Sequence, residues 1–257
     1  MFWDHIEPVI TPRLEAAVDR SYEVFGKYQL RGTIVHCDCN VCMSQDHARL
    51  LSSLPLKEVS SSLLAEYTNS AHGYDVEVIE PEFKYFLPRY FELIANCEPP
   101  SHLDLDVCLV RLDGYRERWP ANEMEIINEF FDAFLEASVF QLKLLKWPVG
   151  YRLEYDLSEV LGMVILAGGD LKRVLEVFDR SPDPEAAVHM ASLRHNLTTM
   201  NGDPFFTNEM CRDKKEAGFI IGEFLYRTEI DERILKATEL LDDPLYDDVL
   251  ELGMIGC

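Results

Sequence analysis

Apolar positions recur at helical spacing along most of the chain. The strongest stretch is Glu82 to Ala95, where Phe83, Phe86, Leu87, Tyr90, Phe91 and Ile94 form one continuous stripe, the signature of a core-facing α-helix. Lys84, Arg89 and Glu92 fall off that stripe. Pro88 lies within it and predicts a kink, because proline has no N–H for the carbonyl four residues back.

The same reading extends in both directions. Pro12 opens a helix carrying Leu14, Ala17, Val18, Phe25 and Tyr28, and proline is favoured at a helix start. Ser44 is placed to cap a short helix through Leu51. Lys57–Ala71 reads as a helix, and Asp75–Pro81 as an acidic loop leading to the Phe-rich stripe. Ser101 is placed to cap a helix with Leu105, Cys108, Leu109 and Leu112, closed by Gly114. The longest pattern runs from Ala121 to Lys146 and is apolar so far round that it predicts burial on more than one side. Beyond it, helices are expected over Leu157–Ala167, from Leu171, over Pro182–Thr199, through Ala217–Leu225, through Ile230–Leu241 and from Pro244. Asn201–Pro204 is expected as a turn, and Tyr151–Tyr155 is the one strand-like run. The expected fold is therefore all-α: an irregular multi-helix bundle of one domain, residues 1–257, with a solenoid-like stack an option in the C-terminal half. Trp147–Gly150 marks a boundary between subdomains 1–147 and 151–257.

Composition narrows the class. With 46 acidic and 24 basic residues the net charge is −22, which repels nucleic acid and anionic membrane surfaces and favours cationic partners. No apolar run reaches the roughly 20 residues that span a bilayer. The first residues, Met1 to His5, lead into charge and not into the apolar core of a secretion signal. Seven irregularly spaced cysteines fit reduced thiols in a cytosolic protein better than a disulfide scaffold.

Candidate chemistry is concentrated in His36-Cys37-Asp38-Cys39-Asn40-Val41-Cys42, with His47 nearby. Thiolates and imidazoles at this density are zinc-type ligands, so Cys37, Cys39, Cys42 and His47 form a candidate zinc set. A structural zinc site usually draws on two separated knuckles, and no second Cys-x-x-Cys exists here. The other reading is that these small thiols pack the loop onto the core. His72, His102, His189 and His195 stand singly and read as capping or surface residues. No nucleophile elbow, His-Glu-x-x-His or phosphate-binding glycine loop is present, so no enzyme is expected. The C-terminal stretch from Glu223 carries ten acids against three bases. Of these acids, Glu239, Asp242, Asp243, Asp247, Asp248 and Glu251 form the expected partner-binding face, a set that also suits helix N-terminal charges.

The Cys-rich turn, Glu66-Tyr67 through Ala71 and the Phe86-Leu87-Pro88-Arg89 helix together resemble a group of bacterial helical proteins with that order of features. The resemblance covers about Leu30 to Leu145 and implies a helical fold without an assigned active site. Small acidic helical proteins of this kind are similar to immunity proteins. By that analogy, the expected function is non-catalytic occlusion of a cationic toxin. The alternative is a metal-binding regulatory or adaptor module built on the Cys37–Cys42 loop.

Overall fold

The computed structural model describes residues 6–37, 39, 42–71, 76–148, 150–241 and 243–255, without the side chains of 76–78 and 255. Three of the first four helices begin on a hydroxyl cap. Thr11 accepts from Leu14 N–H to start α1 (Pro12–Phe25), Ser44 from His47 N–H to start α2 (Gln45–Ser53), and Ser60 from Leu63 N–H to start α3 (Ser61–Asn69). Each cap satisfies a first-turn donor that has no partner within its helix. Lys57 is therefore not the start of a helix: Leu56–Glu58 is a single 3-10 turn ahead of the Ser60 cap. The Phe-rich helix α4 (Val76–Ala95) is longer than expected, running from the segment read as an acidic loop through both Pro81 and Pro88.

The α4 stripe is the centre of the molecule. Phe83, Phe86, Leu87, Tyr90, Phe91 and Ile94 are all buried. Phe91 stacks on Phe130 with ring centroids 3.9 Å apart and planes 6° from parallel, and Phe130 stacks in turn on Phe134. Those two belong to α6 (Ala121–Ser138), which follows the short α5 (Tyr115–Arg118). Between α4 and α5 the expected helix from Ser101 is replaced by two 3-10 turns, Leu105–Val107 and Val110–Leu112. A 3-10 turn also returns a side chain every three residues, so Leu105, Cys108, Leu109 and Leu112 are buried all the same.

The off-stripe polar residues of α4 are engaged too. Lys84 is buried, with its Nζ 3.0 Å from Glu123 and 3.2 Å from Glu80, and it lies 4.1 Å from the Trp119 ring centroid. Glu123 is fully buried and also receives Lys27 and the Tyr28 hydroxyl. Burial would push its carboxyl up, but these donors outweigh burial and hold it below the usual carboxylate range.

The all-α expectation needs correcting: the chain is mainly helical, with two small antiparallel sheets. Helix α6 stops at Ser138, well short of Lys146. Leu144–Lys146 is strand β1, paired with β2 (Tyr151–Leu153). Between the two strands Trp147 N–H donates to the Gly150 carbonyl at 2.9 Å, with Gly150 at φ +80°. After α7 (Leu157–Leu166), α8 (Leu171–Arg180) and α9 (Pro184–Leu193), the helix expected to reach Thr199 also stops early. Its tail forms β3 (Leu197–Met200), which pairs with β4 (Asp203–Phe206). Asn201 and Gly202 both take positive φ, as a two-residue hairpin turn requires, and the β-branched Thr198 and Thr199 suit the strand.

Helices α10 (Lys215–Leu225), α11 (Thr228–Leu240) and α12 (Asp247–Ile255) complete the chain. The β4 strand crosses α10 at Gly218 and Gly222. A Cβ at Gly222 would lie 2.4 Å from the Pro204 carbonyl oxygen, so the approach depends on glycine. Arg194, buried at the end of α9, ties this half together. It donates to the carbonyls of Leu225 and Gly253 and pairs with Asp231 at 2.5 Å. One hydrophobic core cluster includes residues from Leu14 through Leu250.

The Phe91–Phe130 stack is the test of this core. Phe91→Ala should lower the unfolding free energy by about 3–5 kcal/mol, the usual cost of emptying a buried Phe site. Urea unfolding measures it, and a loss of a few tenths of a kcal/mol would show that the stripe is not central.

Candidate metal centre

The described residues between α1 and α2 form no helix or strand, so their backbone donors need partners elsewhere. Side chains from around α2, α3 and α4 supply them. Ile34 N–H donates to Ser52 Oγ at 3.1 Å, Val35 N–H to Glu82 Oε2 at 3.0 Å, and Cys37 N–H to Ser70 Oγ at 3.1 Å. Ile34 and Met43 are buried and anchor the two ends. These pins lie 18, 47 and 33 residues away along the sequence, which is why the pattern of the loop could not reveal them.

Between the anchors the three thiols converge. The sulfurs of Cys37, Cys39 and Cys42 all lie within 4.8 Å of one another. Cys39 N–H donates to Cys37 Sγ at 3.4 Å, and Cys42 N–H to Cys39 Sγ at 3.3 Å. Such N–H donors favour the thiolate, the form that binds metal. The Cys39 amide pulls the Cys37 thiol down, but the neighbouring Cys39 and Cys42 side chains push the other way and leave it raised. A bound cation favours the thiolate form of a ligating sulfur. This cluster could hold a metal ion.

The packing-thiol reading does not fit Cys39. Cys39 is exposed, and Cys37 and Cys42 are half-buried. It does describe Cys97, Cys108 and Cys211, which are buried. Burial pushes both the Cys97 and Cys211 thiols up to about 11, and pushes Cys108 well up too, so all three are inert at neutral pH.

His47 stands outside the sulfur group. It lies in the first turn of α2, and its Nδ1 is 2.7–2.8 Å from the two carboxylate oxygens of Glu66 on α3. His36 Nδ1 is 3.1 Å from the Cys37 carbonyl. Beneath the loop, Glu82 is buried, and burial raises its carboxyl despite the Val35 N–H and Tyr67. Arg111 lies 4.7 Å from the Tyr67 ring centroid and donates to the last carbonyls of α3.

Of the expected partner-binding acids, Asp242 lies outside the described residues, as does His72 among the histidines. Glu239 at the end of α11 and Asp243 and Glu251 are exposed, while Asp247 and Asp248 in the first turn of α12 are half-buried. None of the five described carboxylates is in an ion pair. No described helix is long and apolar enough to cross a membrane. The chain matches no protein-family model, no curated protein and no solved structure.

His189 is neither a cap nor a surface residue. It is fully buried, edge-on to Tyr155, and burial pushes the imidazole down to about 3. The folded ring therefore stays neutral where the unfolded one, near 6.5, takes a proton. Its stabilising contribution is complete above that value and is lost as pH falls from about 6.5 towards 3. Asp106, pushed up to about 6 by burial, acts in the opposite sense, so the parent alone does not isolate the effect. Compared with the parent, His189→Leu should gain stability by about 1.4 kcal/mol for each pH unit below 6.5. Urea melts of both proteins at pH 7, 6 and 5 measure the gap, and a gap that does not change with pH would contradict the assignment.

Proposed function

We propose that this chain is a non-catalytic metal-binding module, of regulatory or adaptor type, in which Cys37, Cys39 and Cys42 take a zinc-class ion. The observation that carries this reading is the convergence of three sulfurs on a loop pinned at its start by Ser52, Glu82 and Ser70 and anchored at its end by the buried Met43. A Zn–S bond is about 2.3 Å, which in tetrahedral geometry sets sulfurs roughly 3.8 Å apart, so the triangle needs little closure. Two of the sulfurs already accept backbone N–H groups. The chain's charge of −22 further concentrates cations at its surface.

Metal analysis of untagged protein should find about one equivalent of zinc. Free zinc at 100-fold above Kd should stabilise the fold by about 2.7 kcal/mol through mass action. Cys39→Ser should abolish both effects. Protein that carries no metal, and melts identically with and without chelator, would remove the metal reading.

A second reading keeps the acidic face as a capture surface for a cationic protein, such as a toxin. Its support is the set of unpaired carboxylates at α11 and α12 together with the exposure of Leu235, Leu240 and Leu245 in the same segment, at 58%, 57% and 40%. Apolar contacts within a charged rim fit the anatomy of a protein interface. Association with a captured basic protein should slow by ~10-fold or more as salt rises, since the Debye length shrinks from ~30 Å at 0.01 M to ~3 Å at 1 M. Changing Asp242, Asp243, Asp247 and Asp248 together to Asn should slow it at low salt. Surface binding kinetics that are flat in salt and blind to these changes would exclude this face.

A further inference from the structure

In a chain of net charge −22, one cavity reverses the sign. It lies along the start of α8 and the start of α10, and has a volume of about 760 Å³. The cations Arg116, Lys172, Lys214 and Lys215 line it, and Ile165, Leu171, Ala217 and Ile220 give it an apolar wall. We infer that this cavity binds a small phosphate ester, with the phosphate among the cations and an apolar body against Ile165, Leu171 and Ile220. The inference does not depend on the metal reading above.

The charges of the cavity are only partly matched from within. Asp170, Asp213 and Glu216 share the lining. Asp170 is already engaged: it caps α8 by accepting from Arg173 N–H and lies 3.0 Å from the Arg116 guanidinium. Lys214 Nζ is 3.7 Å from Asp113, a loose pair. Lys172 and Lys215 are in no ion pair among the described residues. All four cationic side chains are exposed, so they are free to turn towards a bound group. The backbone adds to them. Helix α10 starts on Lys214, which has no acceptor to offer its first-turn N–H groups, and a phosphate oxygen would supply one.

The lining also selects the ligand. Ammonium groups act as separate point charges and suit a tetrahedral dianion approached from several directions. A planar carboxylate is matched best by a guanidinium fork, and that of Arg116 is shared with Asp170. The acidic surface as a whole repels a polyanion such as nucleic acid. A small ester feels mainly the charges within one Debye length, ~8 Å at physiological ionic strength. The volume lies within the ~300–1,000 Å³ typical of small-molecule pockets, and the apolar wall rewards an organic body over the bare ion.

The test is calorimetry on the full chain at low salt, with phenyl phosphate as the probe. It should bind saturably at one site. Inorganic phosphate and phenol should each bind at least ~10-fold more weakly, because each lacks one half of the contact. Benzoate, with a single charge, should also fall short by ~10-fold or more. Lys172→Glu combined with Lys215→Glu should weaken phenyl phosphate by ~10-fold or more, the usual worth of a charge-assisted hydrogen bond. Lys236→Glu, a charge reversal on α11, should leave it within about twofold, because salt screens exposed charges outside the site. Circular dichroism confirms that each variant is folded. No saturable binding of phenyl phosphate, or binding unchanged in the double variant, would overturn the site. Benzoate binding as tightly as phenyl phosphate would overturn the ligand class.

Discussion

The stack of Phe91 on Phe130 is the contact on which the rest of the structure depends. It joins α4 to α6 face to face, and each helix then sets the position of others, with α1 packed on both and α8 on α6. Stacking adds to the large apolar area each ring buries. Between the same two helices, Lys84 of α4 and Glu123 of α6 bring opposite charges into that core. Breaking the pair would leave one charge buried without its partner, which costs far more than the pair itself contributes. The polar edge of α4 is thus as constrained as its apolar stripe.

From that anchored helix the candidate site follows directly. Glu82 sits one residue ahead of the first phenylalanine of the stripe and reaches the Val35 amide. Burial raises its carboxyl, so its ionised form depends on the donors the loop and Tyr67 provide. Ser52 and Ser70 hold the adjacent turns in the same manner. A loop rich in polar backbone is fixed on a hydrophobic body by three side chains at its start, and the sulfurs of Cys37, Cys39 and Cys42 gather next to them.

Two kinds of cysteine coexist in one chain for that reason. Cys97, Cys108 and Cys211 fill core volume and are held protonated by the low dielectric around them. The Cys39 amide lowers the Cys37 thiol, but the Cys39 and Cys42 side chains outweigh it and leave it raised, and a bound cation would favour its thiolate. The acidic surface divides in a similar way. Glu80, Glu123 and Asp132 are committed to ion pairs within the fold, whereas the described carboxylates around the start of α12, Asp243, Asp247 and Asp248, are in no ion pair.

Local pattern was enough for much of this. The stripes of α1, α4, α6, α10 and α11 were legible because burial of one helix face imposes a 3.6-residue period, and the start of α2 because Ser44 supplies the side-chain acceptor a helix start needs. The three-thiol cluster was legible as composition. Where two periods compete, the sequence misled. Apolar residues past Ser138 and past Leu193 satisfy a helical stripe, yet strand pairing won, aided by Gly150 and by the Asn201–Gly202 turn. The fate of His47 and His189, the pins at Ser52, Ser70 and Glu82, and the clamp of Arg194 on three later helices were decided only by tertiary structure. Each depends on groups 18 or more residues apart, and nothing in a local pattern encodes which distant donor a buried acceptor will meet.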